Sequence, residues 1–419
     1  MRFLHAADLH IDSPLRGLEA YEGAPVERIR SATREAFENL ISLAIDESVD
    51  FVLLAGDLFD GKWPDIKTGL WTANQFRRLQ NHEIPVYLIR GNHDAASEVR
   101  KRVRWPENVH EFPVDKPETI IDERLGVAIH GRGFATREVS EDLAAGYPDA
   151  VSGLFNIGML HTSLTGDPDH ATYAPTTEDV LVLRGYDYWA LGHVHVRRTI
   201  REEPRIEFPG NPQGRHIKEI GEKGVLLVSV TATNLDRVEF VPVDVLSWHL
   251  AEIELKAEDG LDDLYQQVSV ELSDCREKSD GRFSAIRIRI RGACACHSQL
   301  IHASAAEEVI AEIRSLASTH SNVWMEKVIL ETSPPVDIEQ LRRGADLMGD
   351  LLRSIDQLAT GPNEDLLELA ETLQPLMAKA PLELGQAGIR LDDPEALRRW
   401  VRQSEGILVS RLQSDASDE

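Results

Sequence analysis

The feature that most constrains this chain is a recurring boundary, at which a short apolar run stops and an aspartate, asparagine or histidine follows at once. "RFLHAA" leads into Asp8 and His10, "DFVLLAG" into Asp57, and "PVYLIRG" into Asn92, His93 and Asp94. "FNIGMLH" ends on His161, and "YDYWALG" leads into His193 and His195. Runs this short, rich in β-branched and aromatic residues, read as strands. A buried polar group without a partner costs about 1–3 kcal/mol, so such groups at the ends of buried strands meet either water or a ligand. In open α/β sheets the carboxyl ends of the strands face one crevice, and side chains far apart in the chain can then share one site.

The segment between the first two runs places Ile29, Ala32, Phe37, Leu40, Ile41 and Ala44 on one face of a helix, the crossover that a buried parallel pair requires. Later runs ("GVAIHGRG", "RIEFPG", "GVLLVSV", "RVEFVPV") have less helix between them, so the sheets are expected to be mixed. We read residues 1–246 as an α/β domain and 247–332, with its order strand, helix, strand, helix, strand, as a small α+β unit. The paired prolines of "SPPVD" close that unit, and residues 333–419 read as helices. A length of 419 residues suits two or three domains. No apolar run reaches bilayer length, and the first residues enter a strand without room for a leader, so we expect a cytoplasmic protein with no membrane partner. Three cysteines do not suggest a disulfide framework.

The residue types at the boundaries decide what the crevice holds. Oxygen and imidazole donors without thiolate suit Mn²⁺, Fe²⁺ or Zn²⁺, and they are too many for one tetrahedral zinc. Two divalent ions sharing a carboxylate clamp the attacking and leaving oxygens of an in-line displacement at phosphorus, so phosphoester hydrolysis is the implied reaction. Net charge opposes one substrate class. With 45 Lys and Arg against 71 Asp and Glu, the chain carries −26, a field that repels a polyanion at long range. Local distribution and bound cations both weaken that objection.

Taken in order, Asp8-x-His10, Gly56-Asp57, Gly91-Asn92-His93-Asp94, His161 and Gly192-His193-Val194-His195 resemble the calcineurin-like metallophosphoesterase superfamily. The resemblance implies the α/β sandwich of that fold with mixed sheets, followed by a small α+β cap domain and a helical C-terminal region. It also implies that Asp8, His10, Asp57 and His195 hold one ion, and that Asp57, Asn92, His161 and His193 hold the other. His93 stays off the metals as proton donor or transition-state stabiliser, with Asp94 orienting it. "FLHAADLHIDSPLRGL" and "FPGNPQGRHIKEIGEKG" are similar to the DNA repair exonuclease subfamily, the SbcD-like and above all the YhaO-like proteins. From this follow DNA as substrate, Mn²⁺ as the metal, and an ATPase partner of the SbcC-like or YhaN-like type. A homodimer is a further assembly to consider.

Other stretches have plainer explanations to set beside functional ones. In "PGNPQGRH", Arg215 and His216 reach substrate phosphate, or they sit in an ordinary Gly- and Pro-rich turn. Arg287, Arg289 and Arg291 share one face of a strand and either track a phosphate backbone or form a solvated face. "EVRKRVRW" at 98–105 is either a basic patch near the metals or a charged helix. Cys294, Cys296 and His297 lack the second cysteine pair that a metal site needs. Ile338, Leu341, Ala345, Met348, Leu352 and Ile355 recur every three or four residues, as a seam for a partner's helices or for the chain's own. His5, His130 and His170 read as satisfied structural histidines. Two rival functions remain: a phosphodiesterase or phosphatase of the same fold acting on a small phosphoester, and a scaffold that binds DNA ends or an ATPase without cutting.

Overall fold

The computed structural model describes residues 1–13, 23–60, 66–95, 103–164, 173–335, 338–379, 391 and 393–417. The chain divides into two compact units. The first comprises Met1–Leu250, Cys275–Ile286 and Asn322–Glu326, and the second Ala251–Asp274, Arg287–Ser321 and Lys327–Glu419.

The first unit holds two six-stranded sheets. One contains β1 (Arg2–Ala6), β2 (Phe51–Ala55), β3 (Val86–Ile89) and β4 (Val109–Glu111), together with β11 (Gly224–Thr231) and β12 (Asn234–Pro242), in the order β12-β11-β1-β2-β3-β4. The other contains β5 (Glu118–Asp122), β6 (Val127–Gly131), β7 (Phe155–His161), β8 (Tyr188–Gly192), β9 (Arg198–Arg201) and β10 (Arg205–Phe208), in the order β5-β6-β7-β8-β10-β9. Both are mixed. Strands β1 to β4 run parallel while β11 and β12 join antiparallel. In the second sheet β6, β7, β8 and β10 are parallel with antiparallel edges.

Every residue of β2, β6, β7 and β8 is buried, which explains why these runs do not alternate apolar with polar, and the polar His130 and Asn156 within them bond each other. Phe3, Phe51, Leu53 and Ile89 of the first sheet meet Ile129, Phe155, Ile157 and Tyr188 of the second in one core between the sheets. Helices α1 (Val26–Asp46) and α2 (Ile66–Gln80) cover the outer face of the first sheet through Phe37, Leu40, Ile41, Phe76 and Leu79. Full burial of each such side chain contributes roughly 1.5–3 kcal/mol. A short α3 (Asn92–Ala95) follows β3, and α4 (Glu178–Leu183) lies on the second sheet, where Leu181 joins Trp189 and Phe208. The layers therefore run helix, sheet, sheet, helix. His5 and His130 are structural, as expected: His5 bonds Tyr188 Oη and the Leu191 carbonyl, and His130 bonds Thr119 and Asn156. His170 and residues 98–102 of the basic stretch lie outside the described residues.

Strands β13 (Leu246–Glu254), β14 (Phe283–Ala293) and β15 (Val323–Ser333) form a third sheet in that order. Around them in sequence come α5 (Leu261–Lys278), α6 (His297–Ile301) and α7 (Ala303–Ser318). The second unit continues with α8 (Ile338–Arg342), α9 (Leu347–Thr360), α10 (Asn363–Lys379) and α11 (Pro394–Ser417). Asp346 caps α9 by accepting from the Gly349 amide at 2.8 Å, and Arg398 donates to the Gly361 carbonyl beyond its other end at 3.2 Å. The apolar seam of this region is taken up by the chain itself. Leu352 and Ile355 are buried against Leu366, Leu397, Val401 and Val409, with Ile338, Leu341 and Met348 packed on the same cluster. Among the described residues no helix is long and apolar enough to cross a membrane.

Candidate metal centre

All five boundaries fall at carboxyl ends of parallel strands, those of β1, β2 and β3 in one sheet and β7 and β8 in the other. The loops after β1 and β2 run alongside each other: the amides of Asp8, His10 and Ile11 donate to the carbonyls of Gly56, Asp57 and Leu58, each at 3.0 Å. Asp8, His10 and Asp57 adopt positive φ, a conformation that Asp and His reach more readily than most residues. The sheets meet closely here. A Cβ on Gly192 would stand 1.9 Å from the Ala55 carbonyl oxygen, and one on Gly91 would stand 2.3 Å from Asp57 Oδ1. Only glycine permits either approach.

The side chains converge. His10 Nε2 lies 3.2 Å from His195 Nε2 and 3.9 Å from Asp57 Oδ2, while His195 Nε2 is 3.9 Å from Asp8 Oδ1. On the other side of Asp57, His161 Nε2 is 3.5 Å from Oδ2 and 3.0 Å from Asn92 Oδ1. The His161 ring is fixed from behind by its Nδ1 contact with the Ala55 carbonyl at 2.9 Å. His193 stacks edge-on against His161, with centroids 5.2 Å apart, and its amide donates to Asp8. Donor atoms of Asp8, His10 and His195 form one tight group, and those of Asp8, Asp57 and His161 another.

Electrostatics mark this as an unusual place for carboxylates. Burial pushes the Asp8 carboxyl up despite the imidazoles of His195 and His161. Burial would do the same to Asp57, yet His161, His10 and His93 outweigh it and hold that carboxyl well below its usual range. Burial alone would lower the His161 ring, but the charge of Asp57 raises it to about 9. Among the described residues neither Asp8 nor Asp57 pairs with an arginine or lysine. The donor set fits divalent cations: oxygen and imidazole donors converge without thiolate, and buried His10 Nδ1 has no hydrogen-bond partner. Two ring nitrogens facing each other at 3.2 Å are also what a shared cation accommodates.

His93 lines the same site from α3. Its amide donates to Asp57 Oδ1 at 2.8 Å, and its Nδ1 lies 2.6 Å from Asp60 Oδ1. Burial would lower this ring, but the bond to Asp60 and the charge of Asp57 raise it above the ordinary imidazole value. The carboxylate in contact with the His93 ring is thus Asp60. Asp94 instead accepts from the amides of Leu58, Phe59 and Gly91 at 3.0–3.1 Å, tying the loop after β2 to the loop after β3. Adjacent residues on a helix do not face each other. Ser13 donates to the other Asp60 oxygen at 2.6 Å.

A second ring of contacts comes from the segment after β10. Arg215 Nη1 lies 3.9 Å from Asp60 Oδ2, whereas His216 sits at the rim with 55 % of its side chain exposed. Glu219, which the sequence did not single out, accepts from His195 Nδ1 at 2.7 Å and from Asn211 and Arg215. Asp60 stands three residues after Asp57 and Glu219 stands inside "FPGNPQGRHIKEIGEKG", and their residue type was the available signal.

Elsewhere the plainer readings describe what is seen. Arg289 pairs with Glu252 at 3.1 Å and Glu331 at 3.6 Å, and Arg291 pairs with Glu254 at 2.5 Å, so the row on β14 is a neutralised face. Cys294 and Cys296 are buried with sulfurs 3.7 Å apart, and His297 Nδ1 turns to Thr332.

A sandwich of two mixed sheets with convergent carboxylates and imidazoles at adjoining strand ends is the architecture of a metal-dependent phosphoesterase. The chain belongs to the calcineurin-like metallophosphoesterases: the family model "Calcineurin-like phosphoesterase" matches residues 1–197. Residues 248–333 match the model of the middle domain of metallophosphoesterase YhaO. The metallophosphoesterase YhaO of Bacillus subtilis (strain 168) is 39 % identical over 296 residues, 70 % of this chain and 72 % of that protein. The DNA double-strand break repair protein Mre11 of Sulfolobus acidocaldarius is 26 % identical over 285 residues, 64 % of this chain and 70 % of the relative. A subunit of nuclease SbcCD from Staphylococcus epidermidis is 24 % identical over 298 residues, 64 % and 76 % of the two chains.

Proposed function

We propose that this protein is a metal-dependent DNA exonuclease that hydrolyses phosphodiester bonds with two divalent ions, of which Mn²⁺ is the working metal. The observation that carries the reading is Asp57 Oδ2, flanked by His10 Nε2 at 3.9 Å and His161 Nε2 at 3.5 Å, so that one carboxylate oxygen lies beside an imidazole assigned to each ion. Asp8, His10, Asp57 and His195 are assigned to one ion, and Asp57, Asn92, His161 and His193 to the other. When bound, such ions supply Lewis acidity to the attacking and leaving oxygens of an in-line displacement. His93, held by Asp60, delivers a proton to the departing alcohol. Arg215 offers its guanidinium to substrate phosphate, with His216 at the rim.

Likeness to Mre11 and to a subunit of nuclease SbcCD favours DNA over a small phosphoester. It also favours a role in DNA repair with an ATPase partner subunit; the cytoplasmic setting is assigned from the sequence reading alone. The division into a cutting domain (1–246), a capping and DNA-recognition domain (247–332) and a helical region (333–419) is supported by the stretches that the two family models match. The test is digestion of end-labelled duplex and single-stranded DNA with Mn²⁺, with and without the ATPase subunit, beside a small chromogenic diester. DNA turnover that exceeds diester turnover is expected. Diester hydrolysis with intact DNA under every condition would assign the site to a small phosphoester.

A further inference from the structure

The segment from Gly210 to Lys223 wraps one histidine. Lys223 Nζ donates to the His195 carbonyl at 3.0 Å, and the Asn211 amide donates to the same oxygen at 3.3 Å. Glu219 Oε1 takes His195 Nδ1 at 2.7 Å and Arg215 Nη2 at 3.0 Å. Its Oε2 takes the Arg215 amide at 2.8 Å and Asn211 Nδ2 at 3.0 Å. Only 6 % of this glutamate side chain is exposed.

His195 Nδ1 faces Arg215 Nη2 at 3.2 Å as well as Glu219 Oε1 at 2.7 Å; the carboxylate is the nearer partner and has no hydrogen to give, so this nitrogen carries one. In the neutral ring, Nε2 then presents a lone pair toward Asp8 and His10. The same carboxylate fixes Arg215, whose remaining Nη1 points to Asp60. We infer that Glu219 is a positioning residue that sets the tautomer and orientation of His195 for one of the two cations and, through the same carboxylate, aims the Arg215 guanidinium into the site. The inference rests on the two-ion reading above.

The consequence is asymmetric. Among the assigned donors, His195 belongs to one ion's set alone, so loss of Glu219 weakens one ion and spares the other. Partners that orient a metal-bound histidine typically contribute ~10–100-fold in metal affinity. The experiment is Mn²⁺ titration of the full chain by calorimetry and by electron paramagnetic resonance, for wild type, Glu219→Gln and Gln213→Ala, with thermal unfolding of each without metal. Wild type is expected to show two binding steps. In E219Q one step weakens by about 10–100-fold and the other stays within about twofold. Q213A, which cuts the segment's side-chain bonds to the Val245 amide and Leu246 carbonyl but touches neither Glu219 nor His195, lowers the melting temperature and leaves both steps in place. Two unchanged steps in E219Q overturn the inference while leaving the two-ion reading intact. Equal weakening of both steps in E219Q and Q213A, in proportion to lost stability, also overturns it, because the segment would then be only structural. Absence of two steps in the wild type removes both readings together.

Discussion

Two regions of this molecule carry charge in regular array, and they use it in opposite ways. On β14 the arginines share one strand face, opposite the isoleucines, and the described pairs set Arg289 and Arg291 against glutamates of the flanking strands. At the strand ends of the sandwich, Asp8 and Asp57 are buried with imidazoles as their neighbours and meet no arginine or lysine among the described residues. Charge on a strand face finds its partner at the cross-strand distance, whereas charge at a strand end projects past the sheet, where no neighbouring strand supplies one. The first arrangement is complete within the protein. The second is completed from outside it.

The largest expected effect probes the shared carboxylate. Asp57→Ala should abolish the binding of both ions and lower DNA cleavage by at least ~10³-fold, measured as Mn²⁺ stoichiometry and Mn²⁺-dependent turnover. Stoichiometry of two in this variant would show that the strand ends need no shared ligand. His93→Ala should lower kcat by ~10²–10⁴-fold while bound Mn²⁺ stays at the wild-type count.

Asp60 and Asp94 separate a functional contact from a structural one. Asp60→Asn is expected to lower kcat by ~10-fold or more without a matching change in KM. Asp94→Asn should instead cost about 1–3 kcal/mol in chemical denaturation, because buried amides lose their acceptor. Reversal of these two outcomes would return the orienting role to Asp94.

A milder effect comes from pH. Burial lowers the His5 ring from 6.5 to about 3, so the unfolded chain takes up a proton below about 6.5 that the folded chain refuses. Stability contributed by this site is full above pH 6.5 and falls as pH drops toward 3, by about 2 kcal/mol at pH 5. His5→Gln should flatten that part of the denaturation profile. Smallest of all, Arg289→Ala should change stability by no more than about 0.5 kcal/mol and DNA affinity by less than about twofold. A marked loss of salt-sensitive DNA binding in this variant would make the β14 row a phosphate track after all.

The donor set was legible because hydrophobic runs and their polar terminators are both local signals, and the rule that parallel strand ends open together does the rest. The mixed sheets followed from the thinning of helix between later strands. What stayed hidden depends on contacts between loops. Asp60 reaches His93, and Glu219 reaches His195, across folds of chain that no periodicity reports. The bonds of Asp94 to the Leu58, Phe59 and Gly91 amides are likewise contacts between loops that its place in the motif does not report. The seam at Ile338 to Ile355 showed an apolar face correctly, but periodicity cannot say which helix covers it. Here Leu397, Val401 and Val409 of the same chain do.

Close approach of Gly192 to the Ala55 carbonyl bears on when a cutting centre can exist at all. Its donors come from both sheets, the last imidazole is His195, and the glutamate behind it is residue 219, so a chain emerging from the ribosome carries no complete set until the whole sandwich has closed. Neither sheet alone is a weak version of the site. A partly made or partly unfolded copy therefore holds no assembled donor set, and under the proposed nuclease function it would spare nearby DNA without any inhibitor.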